Sequence, residues 1–363
     1  MPVALKYSLK ILPNATGQAP PSNNEETITV DMMKVAYPSI QDKNQCKGII
    51  VFKPIIDWLE IGCSVKPKHE KEIAEIFTSD GMLAKEDFFS FGPFDQKPKV
   101  HKAKSKGYKR SIYWINGGKL ARQVLINYVP IGKKDFIKIV LQPSRLTTAD
   151  MKAFQDFWDS TFINHPYLKL DQIYARPKAI KRLDVAVDML NVSVTSIVPR
   201  FVIEPKAKKK KSIVAYCDMT GRKETVYLLK VADEPARDKI YNKRQEILDN
   251  GGKYSFGALP MTRWERTVKT ELPVNGLAMI KNHAADLDFQ AFDFRALKGK
   301  SHSHGLFVNY ALVRSAQKAA EPLPPAAATK YTHFFTSNLI AFWRPEAIWN
   351  SWPSELKRLN LCT

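Results

Sequence analysis

The stretch from Ala236 to Leu248 (ARDKIYNKRQEIL) sets one tyrosine, Tyr241, among lysines, arginines and acids. KRLDVAVDML lies before it in the chain and TRWERTVK after it. Attack by a tyrosine on a phosphodiester needs a phenol able to lose its proton, carboxylates to hold a divalent metal, and cations to balance the phosphate. All three kinds of group occur here on three short segments. If Lys239 to Lys243 is a strand, Lys239, Tyr241 and Lys243 face the same way. Two ammonium groups beside a phenol favour the phenolate. A helix starting near Lys243 then puts Glu246 about one turn further on. A second local reading has Asp233 as cap and Pro235 at the first helical position, with helix running to Leu248.

The flanking segments must be strands for the rest of the set to converge. In LDVAVDML, Leu183, Val185, Val187 and Met189 alternate with Asp184, Ala186 and Asp188, so the two aspartates share a face. Their Cα atoms would stand about 13 Å apart, which points to one metal ligand and one outer group, with Asp184 the first choice and Asp188 the second. An amphipathic strand with solvated carboxylates produces the same pattern. In TRWERTVK, Trp264, Arg266 and Val268 take one side, and Arg263, Glu265 and Thr267 the other. Glu265 between two arginines reads either as a salt-bridge centre or as a metal ligand whose neighbours meet phosphate.

Other signals organise the chain. A strand is expected over Ala4 to Leu12, and another over Gly48 to Trp58, interrupted at Pro54. Pro67 to Phe77 has helical spacing. Arg110 to Ile115 and Gln123 to Tyr128 read as strands parted by the turn Asn116-Gly117-Gly118. Phe136 to Leu141 is a further strand. Thr148 is expected to cap a helix with the apolar stripe Met151, Phe154, Phe157, Trp158 and Phe162. Short connections between later strands favour antiparallel pairing. The expected fold class is α+β, with an extended curved antiparallel sheet and helices packed on one face. The expected domains are a strand-rich DNA-binding half over 1–145, a catalytic half over 146–318, a semi-rigid Pro/Ala linker over 319–330, and an aromatic tail over 331–363. The tail carries Phe334, Phe335, Phe342, Trp343, Trp349 and Trp352, which should dock back on the body.

Fifty-six Lys and Arg against 36 Asp and Glu leave a formal charge of +20, an imbalance suited to a polyanionic partner. Two runs concentrate it: Lys97 to Arg110, with Lys102, Lys104, Lys106, Lys109 and Arg110, and Lys206 to Lys211, with Lys208, Lys209 and Lys210. Both are expected as arms between strands that track phosphates, joined by Lys239, although solvated loops look the same in sequence. Tyr108, Tyr113 and Trp114 beside the first run could stack on unpaired bases. No apolar run is long enough to span a bilayer, so no membrane partner is expected. The cysteines Cys46, Cys63, Cys217 and Cys362 form no C-x-x-C pair and fit a reducing, cytoplasmic setting.

In order and spacing the chain resembles the Rep-trans family of rolling-circle replication initiators of plasmids and filamentous phages, which are related to some conjugative relaxases. The resemblance rests on R-x-D-x-x-x-D at Arg182 to Asp188, T-V-Y at Thr225 to Tyr227, I-Y-N-K-x-x-E at Ile240 to Glu246, and R-W-E at Arg263 to Glu265. It departs from the family where Leu228-Leu229-Lys230 replaces a Gly-Ser pair. The resemblance implies a nicking and joining enzyme dependent on Mg²⁺ or Mn²⁺. Its tyrosine attacks the origin strand, stays linked to the 5′ phosphate and leaves a 3′ hydroxyl. By motif position Tyr241 is the nucleophile, Asp184, Glu246 and Glu265 are metal ligands, and Lys243 and Arg263 meet phosphate charge. Implied partners are origin DNA, double- and single-stranded, with a host helicase and a second copy of the chain as further candidates. Rival readings are a hydrolytic nuclease using the same acids, a non-catalytic origin- or single-strand-binding protein, and a histidine-based nickase. His302-Ser303-His304 speaks for the last only weakly and is expected to be a Gly-bounded loop.

Overall fold

The computed structural model describes residues 4–10, 25–31, 34–39, 48–77, 99–102, 107–115, 122–132, 135–202, 212–217, 223–229, 236–268 and 270–361. Its strands begin with β1 (Ala4–Lys10), β2 (Glu25–Asp31), β3 (Val35–Ser39), β4 (Ile49–Phe52), β5 (Ile55–Cys63), β6 (Lys99–Lys102), β7 (Tyr108–Ile115), β8 (Arg122–Pro130) and β9 (Ile137–Leu141). They continue with β10 (Ile180–Leu190), β11 (Ile197–Phe201), β12 (Ser212–Cys217), β13 (Lys223–Leu229), β14 (Ala236–Asn242), β15 (Met261–Val268), β16 (Leu287–Phe292) and β17 (Leu339–Ala341). The helices are α1 (Glu70–Ile76), α2 (Thr148–Thr161), α3 (Leu170–Tyr174), α4 (Lys243–Asp249), α5 (His302–Arg314), α6 (Ala316–Ala320), α7 (Pro325–Ser337), α8 (Pro345–Trp349) and α9 (Trp352–Arg358). The fold class is α+β, antiparallel sheet with helices to one side, as expected.

Contacts divide the chain into two compact units, and neither follows the expected boundary at 145/146. The first takes residues from Met1–Pro54, Val187–Arg266 and Asn282–Ser351, the second from Ile55–Ala186, Thr267–Lys281 and Trp352–Thr363. The chain passes between them at Pro54, where the proline breaks the strand run into β4 and β5, within β10, near the end of β15 after Arg266, and again after Lys281 and Ser351. Antiparallel pairing ignores sequence halves, because each strand finds its partner by register.

In the first unit the hydrogen-bonded order is β12-β13-β14-β15-β10, with β4 on β10 and β3 on β4. A three-stranded sheet, β11-β16-β17, belongs to the same unit. Alternation sends Val187, Met189, Val226, Leu228, Ile240 and Trp264 into one core, where Phe289, Phe342, Trp343 and Ile348 meet them. Trp264 and Trp343 pack edge to face at 5.5 Å between ring centroids. The aromatic tail thus docks back on the body, as expected. The stretch expected to be a Pro/Ala linker is instead mostly helical, in α6 and α7. Pro325 takes the first helical position and the alanines after it have the highest helix propensity, while Phe335 anchors the helix in an aromatic core. His302 to His304 opens helix α5 rather than forming a loop.

In the second unit the order is β10-β5-β9-β8-β7-β6. Helix α2 starts one residue earlier than expected, with Thr147 as cap. The Thr147 side chain accepts from Asp150 N (3.1 Å), and Asp150 Oδ2 accepts from Thr147 N (2.7 Å). Met151, Phe154, Trp158 and Phe162 form the buried stripe, whereas Phe157 turns half out because it falls off the 3.6-residue period. Phe77 at the end of α1 packs on Tyr128 of β8 (4.9 Å) and on Phe162 (5.6 Å), so both helices cover one sheet face. The turn Asn116-Gly117-Gly118 lies outside the described residues; β7 and β8 on either side of it pair as an antiparallel hairpin.

Candidate active site

The tyrosine segment forms strand then helix, and Asn242 is the hinge between them. Its side chain accepts from Gln245 N (3.1 Å), satisfying an otherwise unpaired donor in the first turn of α4. The alternative of continuous helix from Pro235 is therefore not adopted. β14 runs antiparallel to β13 with Thr225 opposite Tyr241 and Tyr227 opposite Lys239. Parity then decides the faces. Asp238 and Ile240 point into the core, and Lys239 and Tyr241 point away from it.

On the outward parity the phenol of Tyr241 donates to Glu265 Oε2 at 3.1 Å. The other oxygen of that carboxylate, Oε1, lies 2.8 Å from the ammonium of Lys239. Lys239 Nζ stands 5.0 Å from the Tyr241 ring centroid, and Lys243 Nζ 6.0 Å from it. Tyr241 is half-buried, and Glu265 is buried beneath it. A carboxylate that accepts the phenol hydrogen is placed to take the proton, and two ammonium groups stand over the phenol ring, where they favour the charge that its loss would leave.

The remaining acids each face a cation. Lys243 pairs with Glu246 across one turn of α4. Arg263 binds Asp188 through two parallel bonds, Nε to Oδ1 at 2.6 Å and Nη2 to Oδ2 at 2.8 Å. Asp184, in the second unit, is held the same way by Arg182, at 3.0 and 2.5 Å, while the Arg182 guanidinium lies over the Trp58 ring. The β5 pairing slips between Asp184 and Val185, so the simple alternation expected along this strand is interrupted there. Among the described residues Asp188, Glu246 and Glu265 do not come together as three ligand atoms around one point. As placed they do not fit a resident divalent ion beside Tyr241.

A buried ion pair lies beneath this face and was not singled out in the sequence. Arg266 and Asp238, both fully buried, bind through Nε to Oδ1 (2.6 Å) and Nη2 to Oδ2 (2.8 Å). Trp264 Nε1 donates to the same Oδ1 at 2.8 Å, and Arg266 also reaches Asp286 and the His283 carbonyl. Burial opposes the charge on Arg266, yet its carboxylate partners outweigh that and hold its pKa above the ordinary value. The pair ties β14 to β15 in the register that brings Tyr241 to Glu265. Its signal was readable: Asp238 and Arg266 both sit at the apolar parity of their strands.

The described residues of the first basic run lie mostly in strands β6 and β7, which pair with Lys102 opposite Arg110 and place β6 at the end of the sheet order. Lys109 and Arg110 are exposed. Like charges across a ladder cost stability, and lysines on an edge strand also block edge-to-edge pairing. Tyr108 is buried and donates to the Asp135 carbonyl (3.0 Å), so it does not stack on bases. Burial and the Asp135 and Glu60 charges push its phenol up to about 12. Lys104, Lys106 and Lys208 to Lys210 lie outside the described residues, as do the side chains of Lys102, Tyr113 and Trp114.

No family model matches the chain, and no curated protein aligns significantly with it. Among the described residues no helix is long and apolar enough to cross a membrane.

Proposed function

We propose that the protein is a DNA nicking and joining enzyme of the rolling-circle initiator type, with Tyr241 as nucleophile. The observation that carries the reading is the phenol of Tyr241 donating to Glu265 Oε2 with Lys239 and Lys243 around the ring. In the reaction Glu265 takes the phenol proton and the phenolate oxygen attacks phosphorus. The bond from phosphorus to the 3′ oxygen breaks, that oxygen takes one proton from water and leaves as a hydroxyl while Glu265 returns the phenol proton to solvent, and the 5′ phosphate stays on Tyr241. Attack by a 3′ hydroxyl reverses the step and rejoins the strand. Lys239 and Lys243 offset the phosphate charge, and the net charge of +20 supports a polyanionic substrate.

A second reading is favoured by a specific observation: Asp184, Asp188, Glu246 and Glu265 each pair with a cation. Acids used as structural partners are what a non-catalytic origin- or single-strand-binding protein requires. One reaction separates the readings. The protein is incubated with supercoiled plasmid carrying its origin, with and without Mg²⁺ or Mn²⁺, and resolved under denaturing conditions. Nicking through Tyr241 gives protein-bound 5′ ends that vanish in Tyr241→Phe. Free 5′ phosphates mean hydrolysis, and DNA that is shifted but uncut means binding alone.

A further inference from the structure

The second unit contains a side-chain cluster that the tyrosine chemistry does not use. His69 closes a short 3₁₀ turn (Pro67–His69), Glu72 stands in the first turn of α1, and His165 follows α2. His69 Nδ1 lies 3.1 Å from Glu72 Oε2, and His165 Nε2 lies 3.1 Å from Glu72 Oε1. One nitrogen of each ring and a carboxylate oxygen all fall within 4.8 Å of one another. The two imidazoles meet edge to face at 5.3 Å, against the ring of Tyr167.

Two features separate this cluster from an ordinary surface ion pair. His165 is 5% exposed and its backbone is fixed on both sides: its N–H donates to the Phe162 carbonyl (2.9 Å) and its carbonyl accepts from Leu168 N (2.7 Å). The Leu168 carbonyl is in turn held by Trp158 Nε1, so α2 orients the ring. In addition, two imidazoles far apart in sequence aim different ring nitrogens, Nδ1 and Nε2, at opposite oxygens of one carboxylate. One carboxylate does not need two histidines to be satisfied. Ligands at about 2.0–2.2 Å around one ion stand roughly 3 to 3.6 Å apart; each imidazole nitrogen here is 3.1 Å from a carboxylate oxygen and the whole set lies within 4.8 Å, so small side-chain movements close it on one ion. Glu72 is largely exposed, which leaves coordination positions open to water.

We propose that His69, Glu72 and His165 bind one transition-metal ion of the Zn²⁺ class. Two imidazoles and one carboxylate suit Zn²⁺, Co²⁺, Ni²⁺ or Fe²⁺, whereas Mg²⁺ requires oxygen ligands and does not compete. The bound ion links the start of α1 to the segment after α2, and so stabilises the second unit on binding. The proposal does not depend on the tyrosine reading.

The test uses the full-length chain, freed of any polyhistidine tag and stripped with chelator, titrated with Co²⁺ and then Zn²⁺. The expected result is one Co²⁺ per chain with visible d–d absorption, displaced by Zn²⁺, and a rise in Tm with Zn²⁺ but none with Mg²⁺. His69→Ala and His165→Ala lose the absorption and the Tm shift. Glu72→Gln, at an exposed position where the fold tolerates change, weakens Co²⁺ binding at least tenfold. Absence of stoichiometric Co²⁺ binding overturns the proposal. So does binding that survives these variants, or that is lost instead in a His302→Ala, His304→Ala double variant.

Discussion

Glu265 serves two neighbours at once, accepting from the Tyr241 phenol and pairing with Lys239 through its other oxygen. Replacing either end of that contact separates chemistry from stability. Tyr241→Phe removes a hydrogen bond to the buried Glu265 carboxylate, so unfolding free energy should fall by about 1.5–3 kcal/mol while covalent DNA linkage is lost completely. Glu265→Gln keeps shape and removes the proton acceptor, and nicking should fall about 10²- to 10⁴-fold in a plasmid relaxation time course. Equal loss of folding and nicking in either variant would deny the phenol its proposed role. Much of this set was legible in the sequence, because Lys239, Tyr241, Arg263 and Glu265 share outward parity on two strands. The pairing of Asp188 with Arg263 was not, since it depends on which strands become neighbours. Nor was the convergence of Glu72 with His165, which are brought together by folding across a long stretch of chain.

At the scale of elements, β14 and β15 are fixed to one another by the buried Arg266–Asp238 pair. Taking away Asp238 leaves the buried Arg266 guanidinium with Asp286 as its remaining carboxylate partner, at a cost of up to about 3–5 kcal/mol, whereas replacing both Asp238 and Arg266 with apolar groups of similar volume is milder. Urea denaturation of Asp238→Ala against Asp238→Leu combined with Arg266→Met should show that order; equal destabilisation would contradict it. Helix α5 supplies a pH-dependent counterpart. Burial, with Lys330 and Lys300 nearby, holds the imidazole of His304 below its ordinary value. The ring packs on Tyr331 and Phe334, and its Nδ1 meets Ser301. The unfolded chain therefore takes up the proton first. Stability is full above pH about 6.5 and declines as pH falls below it, and His304→Gln should flatten that decline in thermal melts taken across the window. This helix was invisible as such in the sequence because His302-Ser303-His304 and Gly305 carry loop-like composition, and packing of Phe307, Val308 and Ala311 overrides it. The strand-to-helix change near Lys243 was among the readings the sequence offered, but local capping left it beside a continuous helix from Pro235, and the Asn242 cap was not singled out.

Across the whole molecule, charge is the property that sequence alone makes plain, and +20 governs how the protein meets any polyanion. Binding to double-stranded origin DNA, measured by filter retention between 50 and 200 mM salt, should weaken by about 10³ or more if the basic hairpin and its companions neutralise six or more phosphates. A flat response would remove the basic runs from the interface. The division into two units was not legible, because β10 gives residues to both and no compositional break marks the exchange. The central claim concerns a single bond. Origin DNA carrying an internal ³²P at the nick site is incubated with the protein, the DNA is digested, and the labelled protein is cleaved with trypsin. Cleavage after Lys239 and Lys243 isolates Ile240 to Lys243. The account predicts that this peptide carries the label on Tyr241; label on another residue, or nicked DNA with no labelled protein, would contradict it.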